Sequence, residues 1–138
     1  MRKLKFITFS ILVLALLVSC GVQSGPVLSL TGEIEASYTQ KELESMSSVE
    51  SIYTNKDGET TVYSGISINE IFIKQGIVAF SAVNIVASDG YSANVTYDEL
   101  SACSDCVLSY SKDNNWSAVM PNFSGKFQVK DVVEFTVK

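Results

Sequence analysis

Cys103 and Cys106 bracket Ser104 and Asp105, and this pair of thiols is the first place in the chain to look for chemistry. The spacing serves thiol–disulfide exchange when the first cysteine opens a helix, because the helix dipole then favours thiolate. Here the predicted helical turn starts with a capping box at Thr96 and Glu99 and ends near Ala102, so Cys103 follows its C-terminal end. The dipole there opposes a thiolate, and Asp105 adds repulsion. No histidine follows the pair, which removes covalent haem attachment. Two readings stay open: a local disulfide or inert thiol pair in an exported protein, and a working redox pair. The chain contains no histidine, so a four-ligand protein zinc site would need carboxylates and a Ser-His-Asp set is excluded. Asp98 and Glu99 read as the acidic first turn of the helix rather than as a catalytic carboxylate pair.

The third cysteine belongs to a different chemistry. Arg2, Lys3 and Lys5 precede an apolar run from Phe6 to Val18, interrupted by Thr8 and Ser10. Leu17-Val18-Ser19-Cys20 then matches a lipobox, where a thiol nucleophile takes a diacylglyceryl group and cleavage occurs before it. The run is shorter than the roughly 20 apolar residues of a membrane span, so residues 1–19 read as a lipoprotein signal peptide. Two or three acyl chains, palmitate among them, make a stable anchor where one chain is marginal. Residues 20–26 are then the lipidated cysteine and a small polar tether, and 27–138 a single domain. This places the domain on the outer face of a bacterial cytoplasmic membrane.

Charge narrows the partners. The whole chain carries −5; loss of Arg2, Lys3 and Lys5 leaves seven lysines against fifteen acidic residues, a formal −8 with no arginine. An acidic surface argues against nucleic acid and against direct adsorption on anionic lipid. The expected partners are the membrane, through the lipid, and a small ligand or a protein. Candidate recognition residues are Asp89 and Tyr91, which would line a cleft from a hairpin. Tyr53, Tyr63, Tyr97, Tyr110, Trp116 and Phe123 are many aromatics for one small domain, and strand positions favour burying them.

The elements that hold these residues follow from pattern. Val27 to Ile34 reads as a strand. Thr39 with Glu42 opens a helix to about Met46 that turns Leu43 and Met46 inward. Val49 to Thr54 and Glu59 to Tyr63 form a hairpin over Asn55-Lys56-Asp57-Gly58. Ser67 with Glu70 has the capping-box pattern for a helix whose Ile68, Ile71 and Phe72 share one face, and Gly76 fits a left-handed stop. Val83 to Ala87 leads through Asp89-Gly90, a two-residue hairpin signal, into a strand ending at Thr96. Cys106 to Ser111 and Trp116 to Met120 are strands across a turn at Lys112 to Asn115. Asn122 to Gly125 is a loop, and Val132 to Val137 closes the chain. Short strands with two or three small helices between them make the class α+β with mixed sheets.

Four stretches carry a family resemblance. Tyr63-Ser64-Gly65-Ile66-Ser67-Ile68-Asn69-Glu70-Ile71 and Ala87-Ser88-Asp89-Gly90-Tyr91-Ser92-Ala93 lie between an opening Thr31-Gly32-Glu33-Ile34 and a closing Val129-Lys130-Asp131-Val132-Val133-Glu134-Phe135. In this order and spacing they resemble the molybdopterin-binding domain of sulfite-oxidase-type oxidoreductases, from about Leu30 to Val137. The resemblance implies that fold, and a molybdenum held by a cysteine in a Cys-x-Gly-Asn type segment after the first helix. The corresponding stretch, Val49 to Thr54, has no cysteine. The resemblance also implies Arg, His and Lys around the pterin phosphate. The mature chain has only lysine, and Lys56 and Lys74 are its only basic residues from Glu42 to Ser111. The expectation is therefore a reduced, non-catalytic lipoprotein form of the domain, with no cofactor, no metal and no catalytic residue. The rival is an oxidoreductase component, holding molybdopterin atypically or working through Cys103 and Cys106.

Overall fold

The computed structural model describes residues 25–138. Cys20 and the whole predicted signal peptide lie outside the described residues. Among the described residues no helix is long and apolar enough to cross a membrane.

Among the described residues, nine strands and three short helices follow in chain order. They are β1 (Leu28–Gly32), β2 (Ala36–Tyr38), α1 (Gln40–Glu44), β3 (Ser48–Thr54), β4 (Thr60–Ser67) and α2 (Ile68–Lys74). The chain continues with β5 (Ala82–Ala87), β6 (Ser92–Thr96), α3 (Tyr97–Ser101), β7 (Val107–Tyr110), β8 (Trp116–Val119) and β9 (Val132–Val137). A 3-10 turn at Gly125–Phe127 occupies the stretch just after the expected loop. One sheet has the order β2-β1-β9-β5-β6 and is mixed, because β1 runs parallel to β9 while the other pairs are antiparallel. The other sheet, β3-β4-β7-β8, is antiparallel throughout.

Alternation in the strands builds the core. Leu28, Leu30, Val83, Ile85, Val95, Phe135 and Val137 are buried on one face of the five-stranded sheet. Helix α2 presents Ile68, Ile71 and Phe72 to the core, as the helical spacing predicts, and Phe72 meets Phe135 with ring centroids 5.5 Å apart. From the four-stranded sheet, Ile66, Leu108 and Ala118 join the same core. The opposite face of that sheet, bearing Tyr53, Tyr63, Ser109 and Ser117, points away from it and matters for the site below.

Two of the three expected capping boxes form. Thr39 Oγ1 accepts from Glu42 N–H at 3.3 Å while Thr39 N–H donates to the Glu42 carboxylate at 2.7 Å, and Thr96 with Glu99 repeats the arrangement. The bonded backbone N–H, then the side-chain hydroxyl, hold both carboxylates below their ordinary pKa of 4.5. The third box, Ser67 with Glu70, does not form: Ser67 makes no capping bond. Ser67 is still in strand, paired with Val107, and the first free helical N–H, that of Ile68, donates to the Cys106 carbonyl at 3.0 Å. The pairing with Val107 keeps Ser67 extended, and its hydroxyl does not take the Glu70 N–H that a capping side chain would accept. At the other end Gly76 (φ +73°) closes α2: its N–H donates to Ile73 O and Ile77 N–H to Phe72 O, the paired bonds of a left-handed stop.

The expected two-residue turn at Asp89-Gly90 is a three-residue one. Gly90 N–H donates to Ala87 O, Ala87 N–H donates to Tyr91 O, and the left-handed residue is Gly90 alone. The hairpins at Asn55–Glu59 and Ser111–Asn115 use the same geometry, with Gly58 and Asn114 left-handed. A type I turn plus one left-handed residue matches strand twist as well as a mirror-image turn does. Two strands differ from pattern. β2 was not signalled, since its three residues follow Glu33 and Glu35 and pair only at a sheet edge. β4 runs on to Ser67, past the expected end at Tyr63.

Candidate functional site

The β3–β4 hairpin reaches beyond the rest of its sheet. Seven residue pairs join β3 to β4, from Ser48↔Ile66 to Thr54↔Thr60, but β4 pairs with β7 only at Ile66 and Ser67. Gly65 permits the junction: a Cβ there would lie 2.5 Å from the Leu108 carbonyl oxygen. Beyond it β4 parts from β7, and the outward face of the sheet opens into a cleft of about 450 Å³. Tyr53, Thr61 and Tyr63 line it from the hairpin, Ser109 and Ser117 from β7 and β8, and Asn55, Glu59, Asp113 and Asn115 from the two turns at one end. Gln128 and Lys130 reach in from the segment before β9. A second, more open cavity of about 620 Å³ adjoins it past Tyr53, towards Phe123 and Gly125.

Part of this lining is committed to the fold. Asn55 Oδ1 accepts from Asp57 and Glu59 N–H, and its Nδ2 donates to Glu59. Gln128 clamps the Met120 backbone through both ends of its amide. Ser109 Oγ donates to Ser64 O, and Asn115 Oδ1 accepts from Ser111. These bonds leave the Tyr53, Tyr63 and Thr61 hydroxyls, the Asp113 carboxylate and the Lys130 ammonium free, among the described residues, to face the cleft. Beside Tyr63, its register partner Ser51 is fully buried with an Oγ that has no hydrogen-bond partner. Sequence flagged the tyrosines but not Glu59, Asp113, Asn115, Gln128 or Lys130. Polar turn residues carry no local mark of facing one another across a sheet.

The other predicted site residues lie elsewhere. A disulfide joins Cys103 to Cys106 (Cα–Cα 5.5 Å), in the loop from α3 to β7. Cys103 sits after the helix end, as expected, and its N–H donates to Leu100 O. Both sulfur residues are buried. Asp89 lies in its turn and accepts the Tyr91 N–H at 2.9 Å. Tyr91 extends the other way: its hydroxyl donates to the Lys126 carbonyl at 2.6 Å, and the ring lines a small cavity of about 190 Å³ with Asn94 and Phe127. Asp89 does not line that cavity, so the hairpin residues are not brought to one cleft.

The family that the sequence resembles implies molybdopterin, and the residues present do not fit it. Strand β3, where the metal thiolate is expected, offers Ser51 and Tyr53. The two cysteines in the domain are bonded to each other on another element. Molybdenum in such a site needs a soft sulfur ligand, and among the described residues no three His, Cys, Asp or Glu side chains cluster to hold a metal. A phosphate in the cleft would meet one lysine and two carboxylates, Glu59 and Asp113.

Comparison with known proteins agrees at the level of the fold. The domain is similar to a crystal structure of the sulfane dehydrogenase SoxCD from Paracoccus pantotrophus, with a TM-score of 0.65 and 12% sequence identity. The match covers 80% of this chain and 37% of that one, so the chain spans little more than a third of that length. No family model matches the chain, and no curated protein matches it either. The architecture is thus α+β with mixed sheets, and it shares its fold with part of that dehydrogenase.

Proposed function

We propose that this protein is a non-catalytic binding lipoprotein: a molybdopterin-binding-like domain, tethered through lipidated Cys20 on the outer face of a bacterial cytoplasmic membrane, that holds a ligand in the cleft of its four-stranded sheet. The observation that carries this reading is the chemistry of β3. The strand that should supply a metal thiolate supplies a serine and a tyrosine, and the cleft it borders is lined by phenols, hydroxyls, one free ammonium and two carboxylates. A fold does not fix an activity; the site does. Such a site can hydrogen-bond and stack, and among the described residues no three His, Cys, Asp or Glu side chains cluster as a metal ligand set. The rival thiol chemistry is disfavoured by the position of the disulfide, buried and on the C-terminal side of α3, where no dipole activates a thiolate.

The test is purification from the membrane fraction of a bacterial host that makes the cofactor. The expected protein has a lipid-modified Cys20 at its N-terminus, is colourless, and carries no stoichiometric molybdenum. Near one molybdenum per chain would move it to the oxidoreductases. An unmodified Cys20 in that fraction would remove the anchor.

A further inference from the structure

We infer that the cleft takes a neutral saccharide, laid against Tyr53 and Tyr63 and hydrogen-bonded at its rim by Asp113, Thr61 and Lys130. The inference rests on the binding reading above and names the class of ligand.

The composition of the walls selects among ligands. Ala118 and Val119 are the only aliphatic residues in the lining, and the rings of Tyr53, Tyr63 and Tyr110 supply flat apolar faces suited to a ring rather than to a flexible acyl chain. One ammonium stands against the carboxylates of Glu59 and Asp113, so a phosphate or another dianion is repelled on balance. A compact cation is disfavoured by Lys130 in the same lining. What fits is a molecule without net charge that has apolar faces and a hydroxylated edge. A sugar ring has both: its C–H face stacks on a phenol, and its hydroxyls donate and accept in turn. The free groups match this mixture, with the Asp113 carboxylate accepting, Lys130 donating, and the hydroxyls of Thr61, Tyr53 and Tyr63 able to do either. Tyr53 and Tyr63 are half-buried on the same face of the hairpin, two residues from each other's register partner, and both line the cleft. The volume, about 450 Å³, lies in the range of small-molecule sites. The rigid turns at the rim favour a preformed site: Asn55 is fixed by three hydrogen bonds within its own turn, so less ordering is left to the ligand.

The experiment uses the lipid-free exported chain and saturation-transfer NMR with neutral hexasaccharides of glucose, mannose and N-acetylglucosamine. Inorganic phosphate and tetramethylammonium are run as charged competitors. Saturation transfer to at least one hexasaccharide is expected, undisturbed by either ion. Tyr63→Ala should weaken it by about tenfold, and Tyr63→Phe, which keeps the ring, much less. Asp113→Asn, in an exposed turn, guards against a folding defect at Tyr63 and should also weaken binding. Tyr91→Ala, outside the cleft, should not. No transfer to any hexasaccharide overturns the inference, as does binding that survives both Tyr63→Ala and Asp113→Asn, or displacement by phosphate or tetramethylammonium. Molybdenum measured on the same sample keeps the two readings apart. A molybdenum-free protein that ignores sugars loses only the ligand class, whereas a molybdenum-loaded one loses the binding reading as well.

Discussion

Replacing Ser51 with alanine should make the domain more stable. Ser51 is fully buried in β3, and its hydroxyl has no partner. A buried polar group without a hydrogen bond costs about 1–3 kcal/mol of desolvation. Removing the oxygen leaves a void of about 15–20 Å³, worth about 0.5 kcal/mol at the usual cost of cavity volume. The net gain is about 1 kcal/mol, a rise in melting temperature of about 4 °C for a domain of this size. Ser109 is the control. It is also buried, in the same sheet, but its Oγ donates to the Ser64 carbonyl at 2.8 Å. Ser109→Ala removes that bond and should cost about 1 kcal/mol. The two substitutions are chemically identical and should have opposite signs. Urea denaturation reads both, as a shift of midpoint at constant slope. A loss in Ser51→Ala as large as that in Ser109→Ala would refute the reasoning, because it would mean the Ser51 hydroxyl is satisfied.

The disulfide closes a very small ring, so its stabilisation sits at the low end, about 2 kcal/mol. The double variant Cys103→Ser with Cys106→Ser should lose that amount in urea, and reductant should bring the wild type to a similar midpoint; alkylation of either cysteine in the unreduced protein would contradict the bond. Acid should weaken the fold. Glu134 is held below its ordinary 4.5 chiefly by the hydroxyl of Thr31, with Thr136 also contributing, and Glu42 and Glu99 are lowered by their capping bonds. Depressed carboxylate values contribute stability that is complete above pH 4.5 and is lost as pH falls through the folded-state values. Urea midpoints should therefore drop between neutral pH and pH 3, and Glu134→Gln should flatten that drop; an unchanged slope would remove Glu134 from the account.

Local signals and long-range ones divide this protein cleanly. Thr39 with Glu42 and Thr96 with Glu99 form their caps because every partner lies within one helical turn. The inward faces of α2 and β5 follow from side-chain period, and the stop at Gly76 from the one residue type that accepts a left-handed backbone without strain. The ordered motifs from Tyr63 to Ala93 were enough to point to the fold class. Ser67 shows the limit. Its capping pattern is complete in sequence, but Ser67 pairs as a strand residue with Val107, far along the chain, and its side chain makes no capping bond. The parallel pairing of β1 with β9 joins the two ends of the domain, and no local pattern encodes it. The same holds for the cleft. Tyr53, Asp113 and Lys130 meet only because β4 leaves β7 beyond Gly65 and opens the face between two hairpins. The sequence by itself determined the two formed caps, the stop at Gly76 and which side chains turn inward, because those are contests between neighbours in the chain. The tertiary structure alone decided which polar side chains share a space, because that depends on sheet order and on a gap between strands.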